Sequence, residues 1–180
     1  PEMIAATRAE GIACLSDAEL FQAFDVTYEY DVYWDMIACL TGKGSLAAWA
    51  ERLNRQESLY PENYVKLRML ENHDRPRAAA LAPDGRALRN QTALTYFRKG
   101  MTLLYHGQEW SALRRPSLFE RDPVRRDAGA DLTEFLRRLA QIRRHPLLRD
   151  GAFHCEDAGN GFLFAEYRGG GARLCGLFSL

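Results

Sequence analysis

At 180 residues, 47% hydrophobic and 27% charged, the chain fits one globular domain or one and a half, with enough apolar residues for a sizeable core. A formal net charge of zero excludes a general pull toward nucleic acid or an anionic membrane, and no apolar run reaches membrane-spanning length. Arginine far outnumbers lysine, but the arginines are scattered rather than gathered into one basic patch.

The elements follow in chain order. Ile4 to Glu10 reads as the end of a helix stopped by Gly11. Ser16 with Glu19 three residues on fits a capping box. Phe24 to Tyr28, rich in β-branched and aromatic residues, predicts a strand, and Asp31 to Leu40 a helix broken by Gly42-Lys43-Gly44. Ser45 caps a second helix to about Gln56, with Leu46, Trp49 and Leu53 on one face. Tyr64 to Leu70 is a strand ending in Glu71-Asn72-His73-Asp74. After a turn at Pro83-Asp84-Gly85, Ala87 to Arg98 is helical. Met101 to Tyr105 is a short apolar run of the kind buried parallel strands show, ending in His106-Gly107-Gln108-Glu109. A long loop runs from Trp110 to Arg126, a length that often signals function. Asp131 caps an amphipathic helix with Leu132, Phe135, Leu136, Leu139 and Ile142 in its stripe, ended by His145-Pro146. The tail consists of short glycine-punctuated runs that read as antiparallel strands.

Strand and helix thus alternate three times before a β-rich tail, which implies parallel strands with helices outside them. Three such units do not close a barrel, which takes about 250 residues. The chain opens on Pro1 and stops inside its last apolar run, so it reads as a segment of something longer. Cys14, Cys39, Cys155 and Cys175 form no C-x-x-C pair and have no nearby histidine partner, which argues for buried free thiols rather than a metal site or disulfides. That pattern leans toward a cytoplasmic location, which the sequence does not fix.

Two polar clusters lie just past parallel strands, the edge at which α/β architectures build their sites. Asn72-His73-Asp74 follows one strand and His106-Gly107-Gln108-Glu109 the next. Each mixes titratable with neutral hydrogen-bonding groups, as recognition of a polyhydroxylated ligand requires. Taken singly, Asp74 reads as well as a helix cap, and Glu109 as a solvated loop charge.

The ordered set resembles the α-amylase family, glycoside hydrolase family 13. Leu70-Glu71-Asn72-His73-Asp74 is similar to the family's Asn-His-Asp segment at the end of barrel strand seven, and Leu104 to Glu109 to the segment ending strand eight. Pro116-Ser117-Leu118-Phe119 resembles the following loop, Asp131 to Arg144 the last barrel helix, and the tail the start of the C-terminal β-domain. The resemblance implies an α/β fold: about the last three units of a (β/α)8 TIM barrel over residues 1–146, then an antiparallel β-sandwich segment over 147–180. It implies that Asp74 is the carboxylate that stabilises the oxocarbenium-like transition state, with His73 hydrogen-bonding the sugar in the same subsite. Asn72, Arg77, Gln108, Glu109 and Trp110 are the further candidates for contact with an α-linked oligo- or polysaccharide. Arg75 or Arg77 is a candidate to keep Asp74 ionised. No metal site or cofactor is expected in these residues, although calcium is used by many relatives.

The family's nucleophile, an Asp two residues after an Arg, and its acid/base Glu are absent. Glu2 follows a proline on a helical stretch, and nothing marks Glu19, Asp25, Glu29 or Asp31 as catalytic. A retaining glycosidase needs two carboxyls about 5 Å apart, so the segment alone is expected to be inactive. Hydrolysis and glucosyl transfer stay open, as do α-1,4 and α-1,6 linkages. The rival reading is a non-catalytic carbohydrate-binding or interaction protein on the same fold.

Overall fold

The computed structural model describes residues 15–82, 84–126 and 129–180. The expected helix over 4–10, Gly11, Cys14 and Pro83 lie outside these residues. The first described helix, α1 (Asp17–Leu20), opens with the expected box: the Ser16 hydroxyl accepts from the Glu19 amide, and the Glu19 carboxylate accepts from the Ser16 amide. β1 (Thr27–Tyr28) and α2 (Tyr30–Leu40) follow. Next comes α3 (Leu46–Leu59), capped by Ser45, whose hydroxyl accepts from the Ala48 amide. It runs three residues past Gln56, the expected end. Tyr60 then turns extended because it precedes Pro61, which disfavours helical geometry in the residue before it.

β2 (Lys66–Arg68) is shorter than the expected strand because its neighbours are short. After it come α4 (Ala78–Leu81), which the sequence reading missed, α5 (Gly85–Phe97) capped by Asp84, and β3 (Met101–Thr102). β1, β2 and β3 form one parallel sheet in that order, with Thr27 opposite Lys66 and Leu67 opposite Met101. Helices cover one of its faces, where Thr27, Lys66 and Arg68 are buried. Val26, Tyr28, Leu67, Met101 and Leu103 alternate onto the other face. Met101 there is 53% exposed and Val26 37%. The run from Met101 to Tyr105 is therefore not a strand buried on both faces as expected: it forms an edge strand with one face uncovered.

A 3-10 turn (Gln108–Trp110) and the long loop lead to α6 (Thr133–Ile142), where the Asp131 carboxylate accepts from the Thr133 amide. Leu132, Leu136 and Leu139 are buried, while Ile142 is exposed. α6 ends at Ile142, just before His145-Pro146 as expected, and Pro146 has a second role. It opens α7 (Leu147–Asp150), since a residue without an N–H is tolerated where a helix starts. β4 (Ala152–Gly159), β5 (Phe162–Gly169) and β6 (Ala172–Ser179) form an antiparallel meander, as the glycine punctuation predicts. No second layer of a sandwich is present among the described residues. The core is continuous across both sheets, joining Trp49 and Leu53 of α3 to Cys155, Leu163 and Tyr167. Cys39 and Cys155 are buried free thiols as expected, whereas Cys175 is exposed. No described helix is long and apolar enough to cross a membrane.

Candidate active site

β2 and β3 are hydrogen-bonded neighbours, so their C-terminal ends lie side by side. The ladder continues one step further, with the Leu103 amide donating to the Arg68 carbonyl. The two polar clusters are thereby adjacent, as α/β geometry requires.

The segment from Leu70 to Asp74 is held residue by residue. Tyr33 is fully buried and donates its hydroxyl to the Leu70 carbonyl at 3.3 Å. Burial pushes the Tyr33 phenol well above its ordinary value. Glu71 is 1% exposed; its carboxylate accepts from Arg77 Nη1 at 2.6 Å and from the Ala78 amide at 2.6 Å, at the first turn of α4. Burial raises the Glu71 pKa, while the bonds from Arg77 and Ala78 oppose the rise. Asn72 is buried and accepts from the Asp74 amide at 2.9 Å, and its Nδ2 donates to the Tyr30 hydroxyl at 2.9 Å.

His73 and Asp74 then project. Their side chains are 52% and 31% exposed, and His73 Nε2 lies 3.2 Å from Asp74 Oδ2. A carboxylate and an imidazole presented to solvent on a rigid base can accept from and donate to the hydroxyls of one ligand. The long loop reaches the same point: Arg115 Nη1 donates to the Asp74 carbonyl at 2.8 Å.

Two of the residues expected to meet the ligand, Arg77 and Gln108, have structural partners in this chain. Arg77 is buried and does not pair with Asp74. It pairs with Glu71, donates through Nη2 to the His106 carbonyl at 2.9 Å and through Nε to the Arg114 carbonyl at 3.2 Å, and stacks over Tyr105. Every face of the guanidinium is committed to joining the two strand ends, so it is a clasp. Gln108 is also buried, and its carbonyl accepts from the Tyr105 amide, closing the turn. Glu109 is half-buried, and its carboxylate accepts from the Gly107 amide at 2.8 Å. Trp110 is half-buried, with His106 against its ring edge-on and the Arg126 guanidinium 5.0 Å from its centroid. Gly107 has φ +94°, and a Cβ there would lie 2.5 Å from Val124 and 3.1 Å from Arg77, so the clasp requires glycine.

Sequence reasoning passed over Glu71, Tyr30, Tyr33 and Arg115. The spacing of Tyr30, Tyr33 and Trp34 at i, i+3 and i+4 places them on one helix face and was the available signal. A cleft of about 1050 Å3 lies elsewhere. Val26, Val65 and Met101 line it from the N-terminal ends of the strands, with Leu148 and Phe153 opposite, and it contains none of the candidate residues. The described residues bring together no group of three His, Cys, Asp or Glu side chains able to hold a metal ion.

The chain is similar to solved α-amylases. It matches an α-amylase from Lactobacillus plantarum with a TM-score of 0.90 and 35% identity over 98% of its own length, spanning 42% of that chain. A maltogenic α-amylase from Thermotoga neapolitana matches with a TM-score of 0.78 and 28% identity over 91% of this chain and 40% of the other. Among curated proteins, α-amylase 2 of Dictyoglomus thermophilum is 24% identical over 144 residues, 72% of this chain and 26% of that protein. The chain thus spans less than half of each of these relatives. No family model matches it.

Proposed function

Because this chain belongs to the α-amylase family and spans part of its members, we propose that it is the segment of a retaining α-glucan hydrolase or transglycosylase that supplies the transition-state-stabilising carboxylate, Asp74. One observation carries the reading. Asp74 and His73 are the exposed tip of a strand end in which Leu70, Glu71 and Asn72 are each buried and bonded. A carboxylate fixed in this way accepts hydrogen bonds from sugar hydroxyls that strengthen as positive charge develops at the anomeric carbon. His73 donates to the same sugar.

Bond cleavage needs two further carboxyls about 5 Å apart, one as nucleophile and one as general acid. The motifs that would carry them are absent from this sequence. The open sheet face of Val26, Leu67 and Met101 would pack against further barrel strands that bring them. The purified 180-residue chain is therefore expected to release no reducing ends from maltooligosaccharides, and measurable turnover would overturn that part of the reading. The role of Asp74 is tested in the enzyme that carries this segment. Asp74→Asn keeps the shape and removes the charge, and kcat is expected to fall about a hundredfold or more. An unchanged kcat sinks the assignment.

A further inference from the structure

We propose that Tyr30, at the start of α2, is a positioning residue that brackets Asp74 from both sides along the chain. Its bearing on catalysis rests on the reading of Asp74 above. The bracket itself rests on geometry alone.

On the N-terminal side the grip passes through Asn72. Asn72 is 1% exposed, so both ends of its amide need partners. Its Oδ1 accepts from the Asp74 amide at 2.9 Å, and its Nδ2 donates to the Tyr30 hydroxyl at 2.9 Å. The other contact of Nδ2, to the Met69 sulfur at 3.2 Å, is with a weak acceptor. A flipped amide would set two donors against each other at Asp74, so one orientation satisfies the side chain, and the Tyr30 oxygen is its strong outer anchor. On the C-terminal side the grip is the ring. The Arg75 guanidinium lies 4.8 Å from the Tyr30 centroid, within cation–π range. Residues 72 and 75 thus both meet Tyr30, Arg75 lying also 5.0 Å from the Trp34 centroid and 5.9 Å from that of Tyr33, and His73 and Asp74 are the two residues between them.

Tyr30 is itself fixed. It packs against Tyr28 at 5.5 Å and edge-on against Tyr33 at 5.8 Å. Tyr33 holds the Leu70 carbonyl from the same helix. The helix that follows β1 therefore sets the geometry at the end of β2, and the signal passes through a side chain rather than through the sheet.

The two grips separate by mutation. Tyr30→Phe removes the hydroxyl and keeps the ring, and Tyr30→Leu removes both. Amide hydrogen exchange followed by NMR on the chain reads the bracket directly. In Tyr30→Phe the Asp74 amide is expected to exchange about two- to tenfold faster, while the buried Leu94 amide of α5 keeps its rate. Tyr30→Leu should extend the increase to Arg75. Tyr33→Phe should leave the Asp74 amide unchanged. If Asp74 exchange is unmoved in Tyr30→Phe, or rises only in step with Leu94, the bracket is overturned. The enzyme that carries this segment supplies the second readout, a loss in kcat larger than the change in KM for Tyr30→Phe. Should Asp74→Asn prove silent while the exchange result holds, the bracket stands and the catalytic reading of Asp74 falls.

Discussion

Two clusters of buried charge lie within a few residues of each other along β2, and they serve different ends. Glu29 is fully buried; it accepts from Arg98 Nη1 at 2.6 Å and Nη2 at 3.0 Å and from the Met69 amide at 2.6 Å. Arg68 joins it at 3.4 Å and also donates to Gln56 of α3 at 2.8 Å. This cluster sits between sheet and helices, with Arg68 Nε also donating to the Lys99 carbonyl just before β3 at 2.6 Å. The Glu71–Arg77 pair is equally buried, but its bonds run outward to the carbonyls of His106 and Arg114, in the stretch after β3 whose Arg115 reaches the Asp74 carbonyl. Burying charge costs several kcal/mol per ion unless the geometry repays it. One cluster meets that cost inside the scaffold, and the other does so where it ties the end of β2 to the stretch after β3.

The largest effect is expected from Glu29→Ala. It strands Arg68 and Arg98 in the core, and loss of one partner of a buried pair costs about 3–5 kcal/mol. The whole chain should lose cooperative unfolding in urea, or shift its midpoint sharply. A shift equal to that of an exposed substitution would mean that the cluster is wetter than its burial indicates. Arg77→Met comes next, again within about 3–5 kcal/mol, with a further local signature. Amides on both strand ends, Asp74 and Gly107, should exchange faster than those of β5. Loosening of one end alone would break the idea that Arg77 joins the two.

The contrast between the clusters also marks what the sequence disclosed. Caps and stripes are local, and the Ser16–Glu19 box, the Ser45 cap and the buried Trp49 and Leu53 lay where the pattern placed them. The three hairpin strands were legible because glycines mark their turns. The two strand-end clusters were legible as positions, since alternation of strand and helix puts them on one edge. The roles inside them were not. Whether Arg77 meets a sugar or Glu71 depends on which groups the neighbouring strand brings up, and no spacing encodes that. Tyr30 reaches Asn72 across 42 positions, so a sequence read in windows passes over it.

A neutral coupling gives a smaller effect. The helical part and the meander are joined by Asn54, which donates to the Cys155 carbonyl at 2.7 Å and accepts from the Cys155 amide at 2.9 Å, like a strand partner on the edge of β4. Asn54→Ala leaves both backbone groups of a buried residue unmatched and should cost about 1–3 kcal/mol in urea unfolding. No measurable change would mean that water replaces the side chain, and that this junction is looser than the charged ones.

The smallest effect belongs to an exposed pair. Arg114 Nη2 donates to Asp122 at 2.6 Å in the loop whose Arg115 reaches Asp74. The Arg114 bond, and then the Ser117 amide, hold the Asp122 carboxyl down from its ordinary 3.8 to about 2. A depressed carboxylate favours the folded loop above its unfolded value and loses that contribution as pH falls through the folded one. The window is therefore from about pH 4 down to about pH 2. The Ser117 amide resonance, which reports the bond to Asp122, should titrate with a midpoint near 2. High salt should move that midpoint upward by screening Arg114, a response not expected of the buried Glu71–Arg77 pair. A midpoint at the ordinary aspartate value would show that this pair does not order the loop. The contact between Arg115 and Asp74 would then depend on the buried clasp alone.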